Sequence, residues 1–283
     1  MVETPDGRRL SVAETGNAGG VPIVFHHGTP GNRAAHNLTA AALAGARAIV
    51  YDRPGYGGSD RDRGRPVAAC AADVAAIADA LGLERFAVFG SSGGGPHALA
   101  CGALLGERVT RVAVVAGFAP ADDPAFEFFA GMSDLNVDEL RAAAAGEAEL
   151  VGLLEAFAAE AGDPDTVLDA VAGELSQADR DALARPEVRA LFRDAIEASL
   201  RDGLSGWIDD DLAFMAPWGF DPGDVTQPAL LLQGELDVLV PRGHMAHLAS
   251  RISRSRLELV PGGGHTLYDE TRDVVRFLVS DES

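Results

Sequence analysis

Short apolar runs alternate with segments of helical periodicity along the first 120 residues. Val21–His27 (VPIVFHH) is almost continuously apolar and ends in the turn-forming Gly28-Thr29-Pro30-Gly31, which predicts a buried strand running into a loop. Arg47–Asp52 (RAIVYD) repeats the pattern and closes in Arg53-Pro54-Gly55-Tyr56-Gly57-Gly58-Ser59-Asp60. Between Pro66 and Leu83 the apolar Val67, Cys70, Val74, Ile77, Ala78 and Leu81 recur at helical spacing, with Pro66 near the first turn and Gly82 at the exit. Arg85–Phe89 predicts a third strand, His97–Leu105 a helix and Val109–Ala116 a fourth strand. The rhythm returns late in the chain. Ala229–Gln233 reads as a strand, Arg242–Ile252 as a helix, Arg256–Val260 as a strand and Asp269–Val279 as a closing helix.

Strands apolar on both faces and separated by helices predict a mostly parallel sheet covered on both sides, an α/β fold. Residues 121–222 break the alternation, being rich in Ala, Asp and Glu with helical periodicity and no strand-like run. The expected organisation is a core from residues 1–120 and 223–283, with 121–222 as a helical cap or lid over one end.

Charge sharpens this division. The chain of 283 residues carries a formal net charge of −20. Residues 121–222 hold 24 acidic residues against 6 arginines, and the rest holds 19 against 17. A molecule this acidic repels nucleic acid and anionic membrane surfaces, so neither is an expected partner. No apolar stretch reaches the length of a membrane span, the N-terminus has no signal-peptide pattern, and Cys70 and Cys101 fall in Ala-rich helical segments as free buried thiols. A cytoplasmic location is the expectation. All 23 basic residues are arginine, which suits a GC-rich genome and also a salt-adapted surface.

Gly90-Ser91-Ser92-Gly93-Gly94 lies between the strand Arg85–Phe89 and the helix that follows, the context of a G-x-S-x-G nucleophile elbow. A turn this tight needs small residues two before and two after the serine, and Gly90 and Gly94 fill those places. A serine hydroxyl needs a base, and the base an orienting acid. Asp237 follows the strand Ala229–Gln233, with Glu235 as its near competitor, and His265 follows Gly262-Gly263-Gly264 beyond the strand Arg256–Val260. Both stand at carboxyl ends of strands, where open parallel sheets bind ligands. The backbone N–H groups of Gly93 and Thr29 are the expected oxyanion donors. Gly28 and Ser91 are expected beside the substrate, His26 is a candidate lining residue, and His27 is expected to hold its loop by hydrogen bonds.

The runs HHGTPG, DRPGYGGSD, GSSGG, GELDVLVP and GGGH occur in the order that resembles α/β-hydrolase fold proteins, over nearly the whole chain. Within that superfamily the chain looks like the esterase, lactonase and proline-iminopeptidase-like group. The resemblance implies a mostly parallel eight-stranded sheet, a lid after the sixth strand, catalytic Ser92, Asp237 and His265, and no metal or organic cofactor. Serine at position 92 differs from the aspartate of haloalkane dehalogenases and epoxide hydrolases. Thr29 and Gly93 depart from the HGGPG and Trp-bearing elbow of proline iminopeptidases.

The implied activity is cleavage of a small to medium carboxylic ester or lactone. An aminopeptidase whose acidic lid holds a free amino group, and a non-catalytic ligand-binding protein on the same fold, are the alternatives. Lid acids facing the cavity would favour cationic substrates; acids on an amphipathic outer face would not. His244 and His247 lie three apart on a helix and read as solvated, since no third metal ligand is near; His97 reads as a packing residue, and His36 has no motif around it. Phe126, Phe128, Phe129, Met132, Leu153, Leu154, Phe157, Trp207, Phe214, Met215 and Trp218 could form an acyl pocket or the lid's own core.

Overall fold

The computed structural model describes residues 1–33, 45–161 and 163–280; His36 lies outside them. Nine strands are described: β1 (Val2–Glu3), β2 (Arg9–Leu10), β3 (Val12–Gly16), β4 (Val21–His26), β5 (Ala46–Tyr51), β6 (Phe86–Ser91), β7 (Val109–Val115), β8 (Ala229–Gly234) and β9 (Ser255–Val260). The main sheet has the order β3-β5-β4-β6-β7-β8-β9, parallel except for β3, which runs antiparallel to β5 at one edge. Among the described residues this sheet has seven strands, where the resemblance implied eight, and β1 and β2 pair apart as a two-stranded ribbon.

Apolar strands covered on both faces split their side chains by period two. Val24, Ile49, Val88, Val112 and Leu231 pack on one face with α1 (Cys70–Ala80), α2 (Gly94–Leu104) and α9 (Gly243–Arg251). Ile23, Phe25, Phe89, Leu230 and Leu232 point to the other, under Val274, Val275 and Leu278 of α10 (Thr271–Val279). No described helix is long and apolar enough to cross a membrane.

The sheet order places the chemistry. The chain steps from β4 outward to β5, then returns past β4 to β6 and continues through β7, β8 and β9. The direction reverses between β4 and β6, whose registers pair His26 with Gly90. Loops leaving the carboxyl ends of those two strands therefore diverge and open a crevice. The His27–Gly31 loop and the Ser91–Gly94 elbow are its two lips.

Between β7 and β8 the described residues form six α-helices: α3 (Asp134–Ala145), α4 (Glu147–Ala161), α5 (Pro164–Glu174), α6 (Gln177–Leu183), α7 (Pro186–Asp202) and α8 (Ser205–Met215). α8 is fastened to the core by a buried carboxylate. Asp210, fully buried, accepts from the Arg53 Nη2 at 2.6 Å, from Arg65, from the Tyr56 hydroxyl at 2.9 Å and from the Thr29 hydroxyl at 2.6 Å. Burial alone would push this carboxyl up, but the charges of Arg53 and Arg65 outweigh it and hold Asp210 well below the usual carboxylate range. Removing one partner from such a group strands the other charges away from water. Asp210→Ala is expected to cost about 3–5 kcal/mol of unfolding free energy, measured by urea denaturation. A loss below about 1 kcal/mol would mean that the arginines find water instead.

Candidate active site

The elbow is built by close approach. Ser92 has φ +52°, in the left-handed region, and its N–H donates to the Val115 carbonyl at 2.8 Å. A β-carbon at Gly90 would collide with the Gly94 carbonyl, one at Gly94 with the His26 carbonyl, and one at Gly93 with the Thr29 side chain. Gly90 and Gly94 are thus sterically required on both sides of the serine. Gly93 is required as well, because Thr29 packs directly on it, which brings the two expected oxyanion residues together.

The structure brings Asp237 and His265 together. His265 Nδ1 lies 2.9 Å from Asp237 Oδ2, which also accepts from Gln233 Nε2 at 2.9 Å. Asp237 Oδ1 accepts from the backbone N–H groups of Leu239 and Val240, each at 2.9 Å. These bonds fix the carboxylate so that it accepts the Nδ1 proton and leaves Nε2 as the basic nitrogen. Burial favours the neutral imidazole, but the charge and hydrogen bond of Asp237, with the charge of Asp179, outweigh it and raise the His265 pKa above the ordinary 6.5. Glu235, the competing acid, turns away and accepts from the Gly262 N–H at 3.3 Å.

Ser92 and His265 line one cavity of about 300 Å³, shared with Gly28, Thr29 and Ser91. Its roof is apolar, with Leu135, Leu154, Val167, Leu183, Phe192 and Trp207 contributed by α3 to α8 in turn. Of the acids in residues 121–222, Glu139 alone among the described residues reaches the wall. Burial, first, pushes the Glu139 carboxyl up, and the Trp207 indole donates to it at 2.8 Å. Neighbouring Asp211 is pushed well up by burial and then by the charge of Glu139.

Three sequence readings need correction. His26 does not line the cavity: it is fully buried, 3.1 Å from the Tyr51 hydroxyl, because alternation along β4 turns it into the sheet's packed face. His244 is not solvated. It is buried among the rings of Phe118, Phe126 and Phe128, its Nδ1 accepts the Ala119 N–H at 3.1 Å, and burial pushes it down to about 4. His247, by contrast, pairs with Asp123. The aromatic and apolar set also divides: Leu153, Leu154, Phe157 and Trp207 line the cavity, while Phe126, Phe128, Phe129, Met132, Phe214, Met215 and Trp218 pack elsewhere.

His27 holds its loop through both ring nitrogens: Nδ1 bonds the Gly28 carbonyl at 2.8 Å and Nε2 accepts the Arg53 N–H at 3.1 Å. His97 is packed in the core, bonds the Gly93 carbonyl at 2.9 Å through Nδ1, and is pushed down to about 3 by burial first and the charge of Arg53 second. Cys70 and Cys101 are free and buried. No group of three or more potential metal ligands gathers among the described residues.

Sequence reasoning missed Gln233, Asp179 and the Arg53–Asp210 link. A usable signal existed for the last: three consecutive aspartates, 209–211, stand in a helix otherwise faced with Trp207, Ile208, Leu212 and Phe214.

The sequence profile of the alpha/beta hydrolase fold family matches residues 21–271. A putative non-heme chloroperoxidase of a Synechocystis species is 27% identical over 262 residues, 88% of this chain and 86% of that protein. A putative carbamate hydrolase RutD of a Caulobacter species is 27% identical over 271 residues, 88% and 91% of the respective chains. The crystal structure of the enol-lactonase from Burkholderia xenovorans superposes with a TM-score of 0.72 at 22% identity, covering 96% of this chain and 97% of that one.

A β-carbon at φ +52° carries a steric cost that glycine escapes. Ser92→Gly is expected to be about 1–2 kcal/mol more stable than Ser92→Ala in urea unfolding, both lacking the hydroxyl. Equal stabilities would show that the elbow is relaxed.

Proposed function

The chain belongs to the α/β-hydrolase fold family, and on that premise we propose that it is a serine hydrolase cleaving an uncharged, apolar carboxylic ester or lactone of small to medium size through an acyl-enzyme. The observation that carries this reading is the 2.9 Å His265–Asp237 pair opening onto the same cavity wall as Ser92 at its left-handed elbow. In the proposed reaction Ser92 Oγ attacks the acyl carbon and His265 Nε2 takes its proton. The oxyanion is bound by the N–H groups of Gly93 and Thr29, and His265 returns the proton to the leaving alkoxide. Water, deprotonated by His265, then attacks the acyl-enzyme and releases the acid and Ser92. Asp237 orients the imidazole and stabilises it when it becomes charged.

Residues 121–222 act as the cap that encloses the acyl or alcohol group, and Gly28 and Ser91 border the reacting carbonyl. The apolar roof supports an uncharged substrate. An aminopeptidase has less support, since the cap offers an ammonium group only Glu139 among the described residues, a carboxyl that burial pushes up and that already accepts from the Trp207 indole. The relatives' names, a chloroperoxidase, a carbamate hydrolase and an enol-lactonase, differ in substrate and support a hydrolase more than any single compound.

The deciding assay is hydrolysis of p-nitrophenyl acetate, butyrate, hexanoate and octanoate beside proline p-nitroanilide. kcat/KM is expected to rise about threefold to fourfold per added methylene until the roof is filled. Ser92→Ala and His265→Ala should each lower kcat by about 10⁴-fold or more. Amide cleavage without ester cleavage would overturn the assignment. The essential base must be neutral, so kcat/KM falls as pH drops through the free-enzyme pKa of His265. The raised pKa places the midpoint of that acid limb above 6.5. A midpoint below 6.5 in a pH–rate profile would contradict the Asp237 contribution.

A further inference from the structure

We propose that Asp179, carried by α6 between β7 and β8, is a positioning residue that sets the loop bearing His265. The proposal rests on the function given above, in which His265 is the base.

Asp179 stands at the start of a short helix, where a carboxylate ordinarily caps backbone N–H groups at the surface. Part of that job is done by a neighbour: Ser176 Oγ accepts the Asp179 N–H at 3.2 Å and donates to Asp179 Oδ2 at 2.7 Å. Capping needs no burial, yet Asp179 is fully buried. Taking a carboxylate out of water costs several kcal/mol unless its lone pairs find donors. Beside the Ser176 hydroxyl on Oδ2, the donor found for Oδ1 is the backbone N–H of Thr266, at 2.7 Å and 87 residues away in the chain. Thr266 is the neighbour of His265. On the other side of the histidine, a β-carbon at Gly264 would fall onto the Asp179 carboxylate. One side chain therefore demands a bare residue before His265 and hydrogen-bonds the residue after it.

The loop is otherwise held from the core. The Leu236 N–H donates to the Gly263 carbonyl at 2.7 Å, and the Gly262 N–H donates to Glu235. Those contacts fix the loop's entrance; the Thr266 bond fixes its exit from the helical segment. Arg185 adds to the same seam, paired with Asp269 at 2.8 Å and lying over the ring of Tyr268 at 5.1 Å from its centre.

The charged groups around the imidazole come from several elements. Asp237 follows β8, Asp179 comes from α6, Glu235 is engaged by Gly262, and Arg185 is engaged by Asp269. His244 on α9 is neutral above about 4. Two carboxylates, Asp237 and Asp179, thus favour the imidazolium that forms when Ser92 gives up its proton. Asp179 acts through the backbone and at a distance, and takes no part in the bond between His265 and Asp237.

The test is steady-state hydrolysis of a p-nitrophenyl ester by the wild type, Asp179→Ala, Asp179→Asn and His265→Ala, with melting temperatures for all four. Asp179→Ala is expected to lower kcat on the order of tenfold to a hundredfold with KM changed by less than about threefold. Asp179→Asn keeps an oxygen for the Thr266 N–H and should recover most of that loss. Both remove the charge, so the acid limb of kcat/KM should move to lower pH in both. Lower melting temperatures with kcat and the acid limb unchanged would reduce Asp179 to a structural residue and overturn the proposal. Should Asp179→Ala not fold, the acid limb of Asp179→Asn decides alone. Full activity of His265→Ala would overturn the underlying hydrolase reading instead, a result distinguishable from any given by the Asp179 variants.

Discussion

Two arginines buried beside one carboxylate impose most of the order around the crevice. Arg53 cannot shed its charge, so its burial under the β4 loop is tolerable only with Asp210 against it. Arg53 also donates to the His27 and Gly28 carbonyls, and Asp210 takes the Thr29 hydroxyl. The loop that faces the elbow is therefore braced from behind by an ion pair whose acidic half belongs to α8. The shape of the lip and the seating of that helix are one constraint.

Much of this was legible in the sequence, for a physical reason. A buried parallel strand must be apolar on both faces, a left-handed elbow must have small neighbours, and a histidine loop preceded by glycines can bend toward a partner. Those demands act on adjacent residues, so Val21–His27, Gly90–Gly94 and Gly262–His265 display them directly. β3 escaped notice because an edge strand with exposed Glu14 and Thr15 has no such apolar run. Asp179 and Asp210 escaped because each is explained by residues far along the chain, Thr266 in one case and Arg53 in the other. His26 misled because a strand's last residue can face either the crevice or the packed side, and only the register with β6 decides.

The acidity of residues 121–222 is kept almost entirely out of the cavity, whose wall takes Glu139 from this segment's described acids. The same segment that is rich in carboxylates thus presents Leu, Val, Phe and Trp to the cavity. Burial raises the Glu139 carboxyl on that wall, and the Trp207 indole donates to it.

The order of the strands has a consequence for the moment at which the site comes into being. The elbow and the β4 loop lie in the first third of the chain, whereas His265 follows β9, the last strand and an edge of the sheet. During synthesis the ribosome releases the serine long before the imidazole that would serve it. A nascent chain holding only the earlier strands carries a hydroxyl with no base beside it. In the reaction proposed above, docking of the final edge is the event that brings the base to the serine.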